Sequence, residues 1–504
     1  MREVFRGRID RLRPRRVYAA ARAAGIARLY AAGIGIAFAI GLAAAAALLA
    51  ELATPRPDLL DNTRFGAVLT LHGTVMVFLV LIPMLPAVIG NLLVPQAVGA
   101  AQTALPRLTL AGWGAYVLGA AGVIAGAELS GYQGGWRMIL PPEVGTERAY
   151  GVLAAGLAAA AIATTLVNVA LAWTILSRRH RTVPMAEMPL LAWFFLLGSL
   201  VQTAVVPIRL FFLLLQSSAG LAESAAAWFG AADPVSFQQT LFWMYANPAI
   251  LAVVLPAAGI ALDLLGGAGR PVRLPRRTLI TAGMAVALLS LVSWGQHLLT
   301  AAEGSRMAAA GSLYGLLAIV PATVIFGLLL RAWLRARLAE PALNAALFGQ
   351  AAAFAALAAS GSALAAPGLG VHLQDTYATV GHLHFGALGI GVMAFVAGTI
   401  HARSRSGDPR CAGRAAARWI YGMTAGLLLT FLPLAVVGAQ GAPRAFHEYA
   451  RGTQPAHLIA AAGGAVLIVS LAGLAIHLRR GARPRETAET PAALGRADGS
   501  RAAH

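Results

Sequence analysis

Three histidines stand where a lipid-embedded chain has little reason to place them. His72 falls in the middle of one apolar run, and His382 and His384 lie two residues apart in another. An ionisable side chain inside a bilayer is costly and marks a functional site by default. A lone intramembrane histidine is about as often a packing or hydrogen-bonding residue, so each counts for little by itself. The pair is more informative. At about 100° per residue, positions i and i+2 leave a helix about 200° apart. The two imidazoles therefore cannot easily share one metal, and they suit two cofactors flanking one helix. Neutral imidazole is the usual axial ligand of haem iron, and His72, on a separate helix, can supply a second axial bond to one of them. His297 sits near the end of a further apolar run.

The elements that must position these groups are long apolar helices. The chain has 504 residues, 58% hydrophobic and 12% charged, with a mean hydropathy of +0.71. That much apolar surface needs lipid as part of its solvent. Apolar runs recur at 28–51, 66–95, 105–127, 149–176, 188–216, 237–265, 278–301, 309–334, 342–366, 376–401, 417–439 and 456–478. Each reaches about 20 residues, enough to cross ~30 Å of hydrocarbon. The expected fold is an all-α membrane protein of twelve transmembrane helices. A basic cytoplasmic segment (1–27) precedes the membrane domain (28–480), and a polar, disordered tail (481–504) follows it. The first run is too long and too late for a cleaved signal and reads as a retained helix.

Charge tests this layout. The net charge is +19 with 39 Lys+Arg, all of them arginine. With the N-terminus inside, 31 arginines fall in inside segments and seven outside, while Arg209 lies within the fifth run. That bias follows the positive-inside rule. It places both termini in the cytoplasm and the protein in an inner membrane of bacterial type, in contact with membrane lipid. The same distribution argues against nucleic acid as partner, because the charges punctuate apolar runs instead of forming one face. Arg209 is expected at a helix end or in a bundle-facing ion pair, and His372 in a solvated loop. Cys411, the only cysteine, excludes an intramolecular disulfide and a CxxC metal site.

The motifs resemble subunit one of the haem–copper oxidases, of the cytochrome c or quinol oxidase type. LHGTVMVFLVLIPMLPAVIGNLLVP (71–95) with GAAQTALPRL (99–108) is similar to its second helix and following loop. GWRMILPP (135–142), DPVSFQQTLFWMYANPAIL (233–251), SWGQHLLT (293–300), VPAT (320–323), LQDTYATVGHLHF (373–385) and GAPRAFHEY (441–449) follow in the family's order. The resemblance implies two haems. His72 and His384 correspond to the axial ligands of a six-coordinate low-spin haem, and His382 to the proximal ligand of a five-coordinate high-spin haem. Arg444 matches the first of two arginines that neutralise haem propionates; Ala445 stands at the second. Asp375 retains half of a His-Asp pair at an outer magnesium site, where Gln374 replaces the histidine.

The departures cluster on the far side of the second haem. The family holds a copper ion there with one histidine on helix six and two on helix seven. Here those positions read Asn247, Gln296 and His297, and Leu251 stands for the family's tyrosine. Copper prefers imidazole or sulfur donors, so His297 is a residual ligand and copper is expected to be absent. Ala249, Gln102 and Ile325 replace the membrane glutamate, the channel-mouth aspartate and the channel lysine of proton-pumping relatives.

Three functional readings follow from the resemblance. The first is a dihaem membrane protein of respiratory electron transfer with atypical or lost oxygen reduction and no proton pumping. The second is an active terminal oxidoreductase that reduces oxygen or transforms nitric oxide at an altered distal site. The third is a non-catalytic structural subunit of an oxidase complex. The resemblance also implies other oxidase-type subunits and an electron donor, which is a cytochrome, a copper subunit or a quinol.

Overall fold

The computed structural model describes residues 2–138, 147–179, 184–216, 219–231, 233–267, 273–300, 305–336, 338–405 and 408–481. The tail at 482–504, residues 139–142 of the GWRMILPP motif and three inside arginines (Arg181, Arg270 and Arg337) lie outside the described residues. Twelve principal helices are α1 (Arg2–Glu51), α2 (Asn62–Ala97), α3 (Pro106–Ser130), α4 (Glu147–Arg178), α5 (Leu190–Leu215), α6 (Pro234–Gly267), α7 (Arg276–Ser290), α8 (Ser305–Ala336), α9 (Pro341–Ala365), α10 (Tyr377–Arg405), α11 (Arg414–Ala439) and α12 (Gln454–Gly481). Eleven helices among the described residues are long and apolar enough to cross a membrane. The protein is therefore all-helical and integral to the membrane.

The expected seventh span is where the structure departs from the apolar pattern. α7 is only 15 residues long, and a 3₁₀ turn, Ser293–Leu298, continues the run instead of α-helix. Contacts from neighbouring helices meet at the break. The Ser290 carbonyl and the Ser293 hydroxyl both accept from the Asn247 side chain of α6, at 3.2 and 2.9 Å. Gly295 lies against the Met307 carbonyl so closely that an added Cβ would sit 2.3 Å from it. Close backbone approach through small residues is how helices pack in lipid, where no hydrophobic force joins them. The same device joins α3 to α4, where a Cβ on Gly122 would stand 2.8 Å from the Gly156 Cα.

Two spans are wound irregularly near the singled-out histidines. In α2, α-helix through Thr74 gives way to π-helical turns at Val75–Leu81 and Leu85–Gly90. In α10, α-helix ends at His384 and a π-helical stretch runs Phe385–Val392. Such wide turns inside α-helices often accompany functional sites. The starts of both helices are fixed by caps. The Asp61 carboxylate accepts from the Arg64 N–H at 2.8 Å, and the Thr376 hydroxyl accepts from the Ala378 N–H at 3.1 Å.

A buried clamp ties neighbouring helix ends together. Glu51, at the end of α1, accepts from the backbone N–H groups of Leu59 and Leu60 at 2.9 and 2.8 Å. His447 bridges the Glu51 carboxylate, 3.1 Å from Nδ1, and Asn62 Oδ1, 2.6 Å from Nε2. This clamp joins α1, α2 and the 441–449 segment, which carries Arg444.

Candidate haem-binding cavity

One cavity of about 390 Å3 runs through the bundle. His72, His382, His384, His297, Asn247, Gln296, Leu251 and Arg444 all reach its wall, which is otherwise largely apolar. A large apolar pocket with a few convergent polar groups is the usual form of a cofactor site.

His72 and His384 face each other across it. Their ring centres are 6.1 Å apart and their planes differ by 7°. His72 Nδ1 lies 2.9 Å from the Gly41 carbonyl, and His384 Nδ1 lies 2.8 Å from the Val380 carbonyl. A carbonyl only accepts, so each Nδ1 carries the proton and each Nε2 keeps its lone pair for a metal. Two metal–imidazole bonds of roughly 2 Å, with the half-width of each ring added, span about the observed separation. The pair therefore fits the bis-imidazole ligation of one haem iron. Phe431 stacks on His384 at 4.1 Å and holds its ring plane.

His382 leaves α10 on another side, toward α9. Its Nδ1 is 3.0 Å from the Ser360 hydroxyl. That hydroxyl donates to the Ala356 carbonyl at 2.7 Å, so it accepts from His382 Nδ1–H and again leaves Nε2 free. Gly361 makes room for the ring, because an added Cβ would stand 3.0 Å from His382 Cε1. The i, i+2 geometry thus places the two imidazoles against different helices, as two separate cofactor sites require.

The opposite wall carries Asn247, Gln296 and His297. His297 Nε2 lies 3.2 Å from Asn247 Oδ1. Because Asn247 Nδ2 donates to the Ser290 carbonyl, the amide oxygen must face the imidazole, and Nε2 must carry a proton. His297 Nδ1 and Gln296 Oε1 have no hydrogen-bond partner among the described residues. Trp243 stacks on His297 at 3.8 Å, with planes 13° apart. Asn247 thus pairs with His297, Ser290 and Ser293, and not with Gln296. Ala249 is fully buried, and its carbonyl accepts from Gln202 Nε2 at 2.6 Å. Among the described residues, no three His, Cys, Asp or Glu side chains converge as a metal-binding group.

One end of the cavity carries an ion cluster. Arg444 donates to the Asp375 carboxylate, and Arg137 Nη1 lies 3.3 Å from the same oxygen. Burial pushes the Asp375 carboxyl up, but Arg444 and Arg137 outweigh it and hold the group below the usual carboxylate range. Met138, Asp375 and Ala445, with φ of 52°, 62° and 64°, are the non-glycine residues in the left-handed region among the described residues. All three lie in or beside this cluster. Backbone strain of that kind concentrates at functional sites. Arg137 was not singled out by spacing, although the GWRM segment contains it. Ser360 and Gly361 carry no sequence signal of their own.

Arg209 has no ion pair among the described residues, contrary to the expectation of one. It is 1% exposed and sits instead among aromatic rings. His372 is exposed as expected, but on the short helix Pro367–Leu373 and not in a loop.

This bundle and its histidine-lined cavity define a haem-binding integral membrane protein. The sequence matches the family model for cytochrome c and quinol oxidase polypeptide I over residues 25–466, so the chain belongs to that family. It is 28% identical to cytochrome c oxidase subunit 1 of Synechocystis sp. over 447 residues, which is 86% of this chain and 79% of that one. The same subunit of Thermostichus vulcanus is 29% identical, over 87% of this chain and 80% of the relative. The fold is similar to that in the cryo-EM structure of a heme-copper terminal oxidase dimer. That likeness has a TM-score of 0.68 at 14% identity, covering 91% of this chain and 84% of the other. The protein is thus a haem–copper oxidase subunit I homologue of respiratory electron transfer, and its family implies two haems.

Proposed function

We propose that this protein is a dihaem electron-transfer subunit whose distal site holds no copper and does not reduce oxygen in the usual way. The observation that carries the reading is the hydrogen bond from His297 to Asn247. One imidazole and two amides form the distal donor set, and that imidazole's Nε2 is committed to the amide of Asn247. Two neutral amides are poor copper ligands.

His72 and His384 would hold the low-spin haem, and His382 would hold the high-spin haem, with His297 on the cavity's opposite wall. The haems supply an iron centre that gains and loses one electron. The protein contributes the rest. Gly41, Val380 and Ser360 fix the tautomers of the three ligating imidazoles. Arg444 and Arg137 supply positive charge at the cavity's outer end, where haem carboxylates would lie. Asp375 acts as the counter-ion of both arginines, which leaves its carboxylate a poor seat for magnesium. Ala249, Gln102 and Ile325 carry no transferable proton, so the chain does not pump. In the membrane it adopts twelve spans with α7 as the broken seventh, and both termini are cytoplasmic. Its electron donor is a cytochrome, a copper subunit or a quinol, in a complex with other oxidase-type subunits.

Turnover tests this directly. The purified complex, reduced through its haems, is expected to consume oxygen and nitric oxide at rates at least about a hundredfold below the usual enzyme range of 1–10³ per second. Rapid consumption of either gas contradicts the reading and favours a terminal oxidoreductase with an altered distal site.

A further inference from the structure

Arg209 has a role that the cavity's own residues do not explain. It lies within α5, 1% exposed, and neither Nη atom has a hydrogen-bond partner among the described residues. Its guanidinium carbon lies 4.5 Å from the Phe78 ring centre, 5.3 Å from Phe212, 5.4 Å from Tyr245 and 6.0 Å from Phe242. These rings come from α2, α5 and α6. An unpaired charge at this depth is expensive, and cation–π contacts gain most where water is excluded. Four rings around one guanidinium form a cage, and no carboxylate among the described residues pairs with the charge.

The cage backs onto the distal wall. Phe242 is 5.0 Å from Trp243, and Trp243 is 3.8 Å from His297. Trp243 and His297 both line the cavity. With Phe242 6.0 Å from the guanidinium, His297 lies within about 15 Å of this positive charge, close enough across apolar rings for direct Coulomb interaction. Salt screens such a buried charge little.

We propose that Arg209 is a fixed positive charge behind the distal wall that strengthens the binding of small anions at the iron held by His382. The inference rests on the reading that His382 carries a haem with an open face. An anion arriving at that face gains the attraction of Arg209, whereas a neutral ligand does not. Taking the path length of about 15 Å to His297 as the separation, a unit charge at an effective dielectric near 20 changes anion affinity roughly five- to tenfold.

The test compares azide binding to the ferric protein with carbon monoxide binding to the ferrous protein. It uses the haem-loaded wild type and the variants Arg209→Met, Arg209→Gln and Arg209→Lys. Azide affinity is expected to fall roughly five- to tenfold in the Met and Gln variants and to be retained in Lys, with carbon monoxide affinity unchanged in all. If the Met variant does not fold, Gln, which keeps polarity without charge, carries the comparison. Unchanged azide affinity in the neutral variants overturns the inference. So does a parallel loss of azide and carbon monoxide, which would mark a distorted pocket instead of a lost charge. A wild type that forms no carbon monoxide adduct overturns the earlier reading of His382 and this inference with it. That failure is visible before any variant is made.

Discussion

Replacing His384 with alanine is expected to abolish the six-coordinate low-spin haem while sparing the carbon monoxide-reactive one. His72 and His384 span 6.1 Å between ring centres, which leaves space for one iron and no substitute donor. Their Nδ1 atoms are each committed to a backbone carbonyl, so both Nε2 atoms are preset for ligation. Removing either ring leaves a five-coordinate iron or an empty site. The reduced spectrum of H384A, and equally of H72A, is expected to lose essentially all of its low-spin signal. His382 faces α9 through Ser360 and does not depend on the pair, so the carbon monoxide difference spectrum persists. In H382A the outcomes reverse. An exposed histidine, His372, serves as control. A low-spin signal that survives H384A would remove His384 from the ligand set.

The second large effect is a gain. The double variant Asn247→His, Gln296→His is expected to raise bound copper from a trace to about one ion per chain, at least tenfold above wild type. Divalent copper tops the stability order for nitrogen donors, and three imidazoles replace one imidazole and two amides. The change also frees the existing ligand. Asn247 holds His297 Nε2–H at 3.2 Å and is anchored on Ser290 and Ser293. Losing that amide releases His297 Nε2 to bind metal. Each single variant is expected to bind less copper than the double. Elemental analysis after copper loading and dialysis reads the result. A copper-free double variant would mean that geometry, and not donor chemistry, limits the site.

Much of the architecture was legible because it is written in residue type. Apolar runs of spanning length located the helices, and two histidines at i and i+2 implied two faces of one helix. What stayed hidden depends on contacts between distant segments. The run at 278–301 reads as one span. Yet α7 stops at Ser290, where an asparagine 43 residues earlier in the chain takes its carbonyl. A hydropathy window cannot register a side chain from another helix. The sequence suggests a helix end or a bundle-facing ion pair for Arg209, and the structure shows neither among the described residues. The aromatic cage comes from three helices, and no local pattern announces it. Asn247 is shared among His297, Ser290 and Ser293, three groups more than 40 residues away in the chain. The strained residues Met138, Asp375 and Ala445 carry no signal, because nothing in their types demands a left-handed backbone.

The central claim is a family member that keeps both haem sites and has lost the copper opposite one of them. Metal content measured together with the carbon monoxide difference spectrum of the wild-type protein tests it most directly. The account predicts two irons per chain, no stoichiometric copper, and a carbon monoxide adduct on one of the two haems. One copper per chain, or a haem complement that does not react with carbon monoxide at all, would contradict it.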